Sequence, residues 1–307
     1  MKLSIIATMY HSSAYIDEFC DRIIAVASGI TDSFEIVLVN DGSPDDSLAK
    51  ALTRCKADPR IIVVDLSRNF GHHPAILTGL RETRGDYVYL TDIDLEEEPE
   101  LLATFWKTLI SNPDTDVVGG IQARRKKGWF DSALSDIAWR MMKMMASLQF
   151  EANQLATRLM TRRYVDALLT YPEKEVFLEA LCADVGFKQI FLLAEKKPRQ
   201  ETTYTFRKRL QLFASGMTAF STAPLILSLV AALVLFGLSA LVGIYALVTA
   251  VLGDPLPGWA SIVLMVSLAT AIIMLVQGMT ALYVAHIFNE VKQRPLTIIR
   301  QVHGRDL

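Results

Sequence analysis

Two aspartates separated by a single residue are the strongest candidates for chemistry in this sequence. Asp92 and Asp94 directly follow Tyr87–Leu90, an apolar segment with the composition of a buried strand. Two carboxylates at a strand end can share a divalent cation, Mg²⁺ or Mn²⁺, and the cation can neutralise a diphosphate. Because Asp-x-Asp pairs also occur by chance in loops, the position after a strand carries this prediction. Glu97 and Glu98, slightly farther along, are predicted to be a solvated helix start.

Two other predicted strands also end in polar residues. Asn40-Asp41-Gly42-Ser43 follows one of them, and Arg68-Asn69-Phe70-Gly71 follows the other. Asp41 can accept hydrogen bonds from a base or a ribose, although an Asp-Gly pair equally suits a local Asx turn. Parallel strands direct their carboxyl ends to one edge of a sheet, which is where ligands bind. Three polar strand ends therefore predict one ligand crevice.

The segments between these motifs predict an α/β domain. Short runs rich in Val and Ile alternate with amphipathic stretches, which is typical of a doubly wound parallel sheet. No Gly-x-Gly-x-x-Gly follows the first strand, which argues against a nicotinamide site. The predicted strands are Leu3–Thr8, Glu35–Asn40, Ile61–Leu66, Tyr87–Thr91 and Val117–Gly119, and the predicted helices are Ala14–Ser28, Asp46–Cys55, His73–Thr83 and Pro99–Ser111.

The C-terminal third of the chain predicts two membrane spans. Pro224–Leu252 and Pro255–Ala285 are uncharged runs of 29 and 31 residues, and roughly 20 residues cross the hydrocarbon core. Lys and Arg flank the outer ends of this pair but not the turn between them, so both termini are predicted to be cytoplasmic. The predicted organisation is a catalytic domain with juxtamembrane amphipathic helices over 1–209, a transmembrane hairpin over 210–290 and a cytoplasmic tail over 291–307.

Composition restricts the partners and the compartment. The chain of 307 residues is 51% hydrophobic, with mean hydropathy +0.30 and net charge −2, so nucleic acid is not an expected partner. Three cysteines lie far apart in the sequence, which fits a reducing compartment and favours neither a zinc site nor a disulfide framework. The N-terminus has no signal-peptide pattern. The predicted location is the cytoplasmic face of the inner membrane.

In order and spacing, these motifs resemble glycosyltransferase family two, specifically its polyprenyl-phosphate branch of bactoprenol glucosyltransferases and dolichol-phosphate mannose synthases. The resemblance covers essentially the whole chain, including the membrane segments. It rests on Val39-Asn40-Asp41-Gly42-Ser43 with Asp45, Ser67-Arg68-Asn69-Phe70-Gly71 with Ala75 and Gly79, Gly85-Asp86, Asp92-Ile93-Asp94-Leu95 with Pro99-Glu100, Arg158-Leu159-Met160, Val185-Gly186-Phe187-Lys188-Gln189 and Phe220-Ser221-Thr222-Ala223-Pro224.

The resemblance implies a GT-A fold, an inverting reaction and a homotetramer. The expected reaction moves glucose or a related hexose from a nucleotide-sugar, UDP-linked in the first instance, to undecaprenyl phosphate, for the synthesis of cell-envelope polysaccharide. Asp41 and Arg68 are then expected in the nucleotide site, and Asp92 with Asp94 would bind the diphosphate through Mg²⁺ or Mn²⁺. The roles of Asp92, Asp94 and Asp41 agree with what their positions after strands predict, whereas the place of Arg68 in the nucleotide site follows from the resemblance.

The same resemblance assigns residues to the acceptor side. Arg124 matches a basic residue that follows the fifth strand, and Arg199 matches an arginine near the membrane that can face phosphate. Together with Asp94, these arginines are the expected catalytic residues. Asn153 is the fourth candidate, and it stands where relatives have an aspartate proposed as the base. A lipid phosphate is already anionic, so it can attack without a base if it is held in line.

Several positions depart from the family pattern. His11-Ser12 replaces Asn-Glu after the first strand, His72 replaces a lysine, and Thr203 stands where a phosphate-binding lysine is usual. His72 and His73 are adjacent and do not share a helix face, so a phosphate contact or a polar loop is favoured over a metal pair. The departures leave two alternatives open: a catalytically weakened membrane scaffold, or a transferase for GDP-mannose or a modified UDP-sugar. A processive polysaccharide synthase is disfavoured, because the chain has no Gln-x-x-Arg-Trp motif.

Overall fold

The computed structural model describes residues 2–122, 154–171, 178–194 and 258–305, together with scattered positions between 225 and 248. The chain forms two compact units. The first contains the N-terminal α/β region and the residues from Gln293 onward, and the second contains the helical segment that ends at Lys292.

The first unit is built on one sheet of eight strands. Their order across the sheet is β7-β5-β6-β4-β1-β2-β3-β8. The strands are β1 (Leu3–Met9), β2 (Phe34–Asn40), β3 (Ile61–Leu66), β4 (Tyr87–Asp92), β5 (Val117–Gln122), β6 (Gln154–Thr161), β7 (Gln189–Ala194) and β8 (Ile299–His303).

Short helices alternate with these strands and cover both faces of the sheet. Leu3, Ile5 and Ala7 of β1 pack on one face, while Ile6 packs on the other, because successive strand residues point in opposite directions. The helices of this unit are α1 (Ile16–Ser28), α2 (Ser47–Ala57), α3 (His72–Glu82), α4 (Leu101–Ser111), α5 (Arg162–Leu168) and α6 (Leu178–Asp184). Helices α1, α2 and α4 contribute to the first core, and α3, α5 and α6 to the second.

All five predicted strands and all four predicted helices are present, with ends shifted by at most three residues. Three strands were not predicted, and two of them make the sheet mixed. Strand β6 lies antiparallel between β4 and β5, and β8 pairs antiparallel with β3. The polar pair Thr157 and Arg158, fully buried in β6, interrupts the apolar run that signals a central strand. Strand β8 is a mostly exposed edge strand, where polar residues are usual.

Among the described residues of the second unit is a long helix, α7 (Trp259–Val291), of 33 residues. Within it, Leu268–Val291 is the one segment of the described residues that is long and apolar enough to cross a membrane, with a mean hydropathy of 1.8. Many of its large apolar side chains are exposed, including Ile273 and Met274. This helix coincides with the second predicted span. The first predicted span falls where the structure describes scattered helical positions, so a pair of spans is not established.

Candidate functional site

Four parallel strands bring the predicted polar residues to one edge of the sheet. The register pairs Met9 with Asn40 and Thr8 with Asp92, so β1, β2 and β4 end at the same level. Asn40 in turn pairs with Asp65 on β3. The loops that follow β2, β3 and β4 therefore leave the same edge of the sheet, as the sequence predicted, and the space that they border is here called the crevice.

Asp41 is almost completely buried and holds the loop that follows β3. Its Oδ1 accepts a hydrogen bond from the Phe70 amide at 2.7 Å, and its Oδ2 accepts one from the Gly71 amide at 3.0 Å. Burial raises the pKa of Asp41, and the two amide hydrogen bonds oppose that rise in part. The local turn is made by Asn40 instead, whose Oδ1 accepts from the Ser43 amide at 3.2 Å. Asp41 is thus a clamp between two loops, and its contact with a base or ribose stays a prediction.

The close contact between these two loops requires glycine at position 42. Gly42 has φ +61, and a Cβ there would lie 2.4 Å from the carbonyl carbon of Arg68. Only a residue without a side chain allows both this backbone angle and this approach. Arg68 itself is exposed; its guanidinium carbon lies 3.9 Å from the centre of the Phe70 ring, and its Nη1 donates to the Asn69 carbonyl at 2.8 Å. This places a cation at the rim of the crevice.

Asp92 is the last residue of β4, and Asp94 lies in the turn beyond it. The side chain of Asp92 is 21% exposed, and Oδ1 of Asp94 accepts a hydrogen bond from the Glu96 amide at 3.1 Å. Leu95 has φ +57, a left-handed angle that a branched side chain rarely adopts outside a tightly defined turn. The strained turn holds the pair of aspartates at the strand end.

These carboxylates fit a divalent cation that is shared with a diphosphate. The described part of the chain has no cluster of three or more His, Cys, Asp or Glu side chains placed to hold a metal ion. Mg²⁺ in phosphate-transfer sites is commonly held by one or two carboxylates, and the substrate phosphates and water supply the other ligands. Asp92 and Asp94 supply hard oxygen ligands of this kind, so the residues present are compatible with such a metal.

His72 connects the two sides of the crevice. Its Nε2 lies 3.5 Å from Oδ1 of Asp92, and its Nδ1 lies 3.1 Å from the Thr8 hydroxyl. The ring centres of His72 and His73 are 5.7 Å apart and tilted, and neither belongs to a metal cluster. Both histidines belong to the first turn of α3, so the polar-loop prediction was wrong, while a phosphate contact by His72 stays a prediction.

A hydrogen-bonded cluster around Asp45 was not predicted beyond its place in the family motif. Its Oδ1 accepts from the hydroxyls of Ser43 at 2.5 Å and Ser47 at 2.6 Å, and its Oδ2 accepts from the Ser13 amide at 3.2 Å. Burial opposes ionisation, but these hydrogen bonds hold the pKa of Asp45 well below its usual value. The cluster joins the loop after β1 to the loop after β2. The alternation Ser43-x-Asp45-x-Ser47 after a strand was the available signal.

The prediction that Glu97 is solvated was wrong. Its side chain is 2% exposed and lies near the fully buried Tyr89. Burial, together with the charge of Glu97, raises the pKa of Tyr89 far above its ordinary value. The neighbouring Glu98 is exposed, as the sequence predicted, so burial within the acidic run concerns Glu97.

Three predicted catalytic residues, Arg124, Asn153 and Arg199, lie outside the described residues. The structure therefore brings together Asp41, Arg68, Asp92 and Asp94, the donor side of the predicted site.

Comparisons with known proteins identify the family to which this sequence is similar. The sequence profile described as Glycosyl transferase family 2 matches residues 4–166. A Mycobacterium tuberculosis (strain CDC 1551 / Oshkosh) protein named as a glycosyltransferase is 39% identical over 308 residues, which cover 100% of this chain and 90% of the relative.

A functionally named relative and a solved structure extend the comparison. The undecaprenyl-phosphate 4-deoxy-4-formamido-L-arabinose transferase of Serratia proteamaculans (strain 568) is 28% identical over 310 residues, covering 99% of this chain and 94% of the relative. The mannosyltransferase PcManGT from Pyrobaculum calidifontis, solved with GDP-Man and Mn²⁺, is 20% identical with a TM-score of 0.50, covering 94% of this chain and 86% of that one. The similarity to PcManGT supports the fold and nothing further. Because the profile spans more than half of the chain and a 39% identical relative matches it from end to end, the chain belongs to glycosyl transferase family 2.

Proposed function

We propose that this glycosyltransferase moves a hexose or a modified pentose from a nucleoside diphosphate to a polyprenyl phosphate, undecaprenyl phosphate in bacteria, at the cytoplasmic face of the membrane. The observation that carries the proposal is the crevice where Asp92 and Asp94 face the loop clamped by Asp41. The match to a named undecaprenyl-phosphate transferase over 99% of this chain supports the acceptor class.

The donor half of the reaction depends on charge at the end of β4. A divalent cation held by Asp92 and Asp94 would supply charge neutralisation for the leaving diphosphate. The loop over 67–71 presents a cation, Arg68, at the rim of the same crevice, and the clamp by Asp41 keeps that loop in place. His72, whose Nε2 lies 3.5 Å from Oδ1 of Asp92, is a proposed hydrogen-bond donor to a phosphate oxygen.

The acceptor half does not require a general base. A phosphate monoester with a second pKa of about 6 is largely dianionic at neutral pH, so its oxygen is already a nucleophile. That oxygen attacks the anomeric carbon as the bond from this carbon to the diphosphate breaks, and the nucleoside diphosphate leaves with the electron pair. One in-line displacement of this kind inverts the anomeric centre. Arg124 and Arg199 are the proposed phosphate contacts, and Asn153 is compatible with such an attack.

The position of the C-terminal residues supports membrane anchoring by a hairpin. Strand β8 follows the long apolar helix α7 and pairs with β3 in the catalytic sheet. The chain before and after the apolar region must therefore lie on one side of any membrane, which requires an even number of crossings. Two spans, at 224–252 and 255–285, meet this requirement. Assembly into a tetramer is a further part of the proposal.

The test is a donor panel assayed on the full chain in nanodiscs with undecaprenyl phosphate and Mn²⁺. UDP-glucose, GDP-mannose and UDP-4-deoxy-4-formamido-L-arabinose are compared by the appearance of a lipid-linked sugar. Transfer from one donor, lost in excess chelator, is expected. Sugar transfer to a different acceptor, with none to the lipid phosphate, would contradict the acceptor assignment. If no nucleotide stabilises the protein against heating, the scaffold alternative is favoured, since a ligand specific for the folded state must raise stability.

A further inference from the structure

Strand β8, at the end of the chain, lies beside the strand that leads into the nucleotide crevice. It pairs antiparallel with β3, with Val64 opposite Val302 and Asp65 opposite Gln301. Beyond the end of β3, the Ser67 amide donates a hydrogen bond to the Ile298 carbonyl at 2.9 Å. The C-terminal segment is therefore attached directly to the base of the loop over 67–71.

Arg300 makes two contacts at this junction. Its Nη1 donates to Oδ2 of Asp65 at 3.2 Å, and its Nη2 donates to the Ser67 carbonyl at 2.8 Å. The side chain of Asp65 is 5% exposed, so its carboxyl group depends on protein partners for compensation. Arg300 is the charged partner of this buried group, although 235 residues separate the two in sequence.

The contacts of Arg300 continue to both loops of the crevice. On one side, Oδ1 of Asp65 accepts from Nδ2 of Asn40 at 2.8 Å, and Asn40 in turn forms the turn with Ser43. On the other side, Ser67 opens the loop whose Phe70 and Gly71 amides bind Asp41. These two series of hydrogen bonds, one through Asp65 and Asn40 and the other through Ser67, are the two routes from Arg300 to Asp41.

We infer that Arg300 is a positioning residue for the donor nucleotide, so that the strand after the membrane region completes the nucleotide site. The inference rests on the proposed function, in which this crevice binds a nucleoside diphosphate. Arg300 does not touch the crevice itself. It acts by orienting Asp65 and Ser67, which fix the two loops that hold Asp41.

Other contacts attach the same segment without reaching the crevice, and they supply a matched control. Nη1 of Arg305 donates to Oε2 of Glu82 at 2.6 Å, and the hydroxyls of Thr297 and Thr78 are 2.6 Å apart. Both pairs dock the C-terminal segment on α3. A role confined to docking would therefore be shared by Arg300 and Arg305, whereas a positioning role belongs to Arg300.

The experiment compares Arg300→Met with Arg305→Met in the full chain, in one detergent. UDP and GDP, each with Mn²⁺, are titrated onto wild type, and the tighter ligand is used for the variants. Arg300→Met is expected to weaken nucleotide binding about threefold to fivefold, less than the loss of a direct hydrogen bond to a charged group, because the Arg300 side chain is 59% exposed and acts only through Asp65 and Ser67. The KM for the donor should rise to the same degree while kcat changes little. Arg305→Met should keep the wild-type Kd even where it lowers the melting temperature.

Two further variants separate positioning from loss of folding. Arg300→Lys keeps the charge but lacks the planar fork of donors, so partial rescue of binding is expected. Asp65→Asn breaks the contacts through Asn40 but leaves the contact of Arg300 with Ser67, so it should weaken binding less than Arg300→Met does. The double variant should bind no worse than Arg300→Met, because that change already breaks both contacts. A wild-type Kd and KM in Arg300→Met would overturn the inference, as would equal weakening by Arg305→Met. Failure of wild type to bind either nucleotide would overturn the proposed function and, with it, this inference.

Discussion

The two ends of the parallel strands both carry carboxylates, but they hold them differently. At the amino ends, Glu35 accepts hydrogen bonds from Lys2 Nζ at 2.7 Å, the Ser4 hydroxyl at 2.6 Å and the Arg84 amide at 2.7 Å. At the carboxyl ends, Asp41 is held by backbone amides and Asp92 lies beside a histidine. The amino-end group is compensated by a lysine, whereas the carboxyl-end groups face a crevice.

The difference is visible in opposite pKa shifts of two buried carboxyl groups. For Glu35, the rise due to burial is outweighed by hydrogen bonds from Lys2, Ser4 and Arg84, so its pKa is lowered. For Asp41, burial dominates over two amide hydrogen bonds, and its pKa is raised. Glu35, whose carboxylate is hydrogen-bonded to Lys2, stabilises the fold, while Asp41, which is hydrogen-bonded to two backbone amides with the charges of Arg68 and His72 nearby, is suited to a positioning role. The comparison teaches that the partners of an acid indicate its role better than its burial does.

The largest effect is expected from Asp92→Asn. Loss of one carboxylate from the pair should lower sugar transfer by at least about 100-fold, since removal of a group that stabilises transition-state charge has that magnitude. The melting temperature should stay within error of wild type, because Asp92 is partly exposed. Transfer rates and melting curves on the same preparations check this. Asp46→Asn, an exposed acid at the same end of the sheet, should leave transfer unchanged; comparable losses in both variants would contradict the assignment.

A smaller effect on both stability and binding is expected from Gly42→Ala. The left-handed angle alone costs about 1–2 kcal/mol for a residue with a Cβ, and the overlap with Arg68 must also displace the loop. Nucleotide affinity should fall together with the melting temperature, which titration and thermal unfolding measure. Gly278→Ala, in α7, has open space around its Cβ and should not lower nucleotide affinity or the melting temperature, because Ala favours a helix over Gly. If the Gly42→Ala variant binds nucleotide as tightly as wild type, the close contact between the loop after β2 and the loop after β3 is not needed for nucleotide binding.

The smallest effect on activity is expected from Glu35→Gln, which tests the carboxylate at the amino ends of the parallel strands. Stability at pH 7 should fall by about 1.5–3 kcal/mol, the size of a lost charged hydrogen bond, while transfer per folded molecule stays unchanged. Because the folded pKa of Glu35 is lowered from 4.5, its contribution is complete above that value and is lost as pH falls through the folded pKa. Melting temperatures of wild type and variant should therefore converge below about pH 4.5. A loss of activity at equal folded fraction would mean that both ends of the sheet serve the reaction.

The sequence alone determined the first five strands, the four helices between them and the edge of the sheet where polar groups gather. This was possible because β-branched runs, helical periodicity and the direction of parallel strands are local properties or follow from them. Asp92 and Asp94 were identifiable for the same reason, since they directly follow a buried strand.

Only the tertiary structure decided how that edge is held together. Strand β6 buries Thr157 and Arg158 between two neighbours, and β8 joins the sheet from the far end of the chain. Nothing in a local pattern indicates such pairings, because they depend on which strand edges remain available once the sheet has formed. The same holds for Glu97, which an acidic run predicted to be solvated, and for Arg300, whose partner is 235 residues away. Local periodicity specifies elements, whereas hydrogen-bond partners and burial depend on the packing of distant segments.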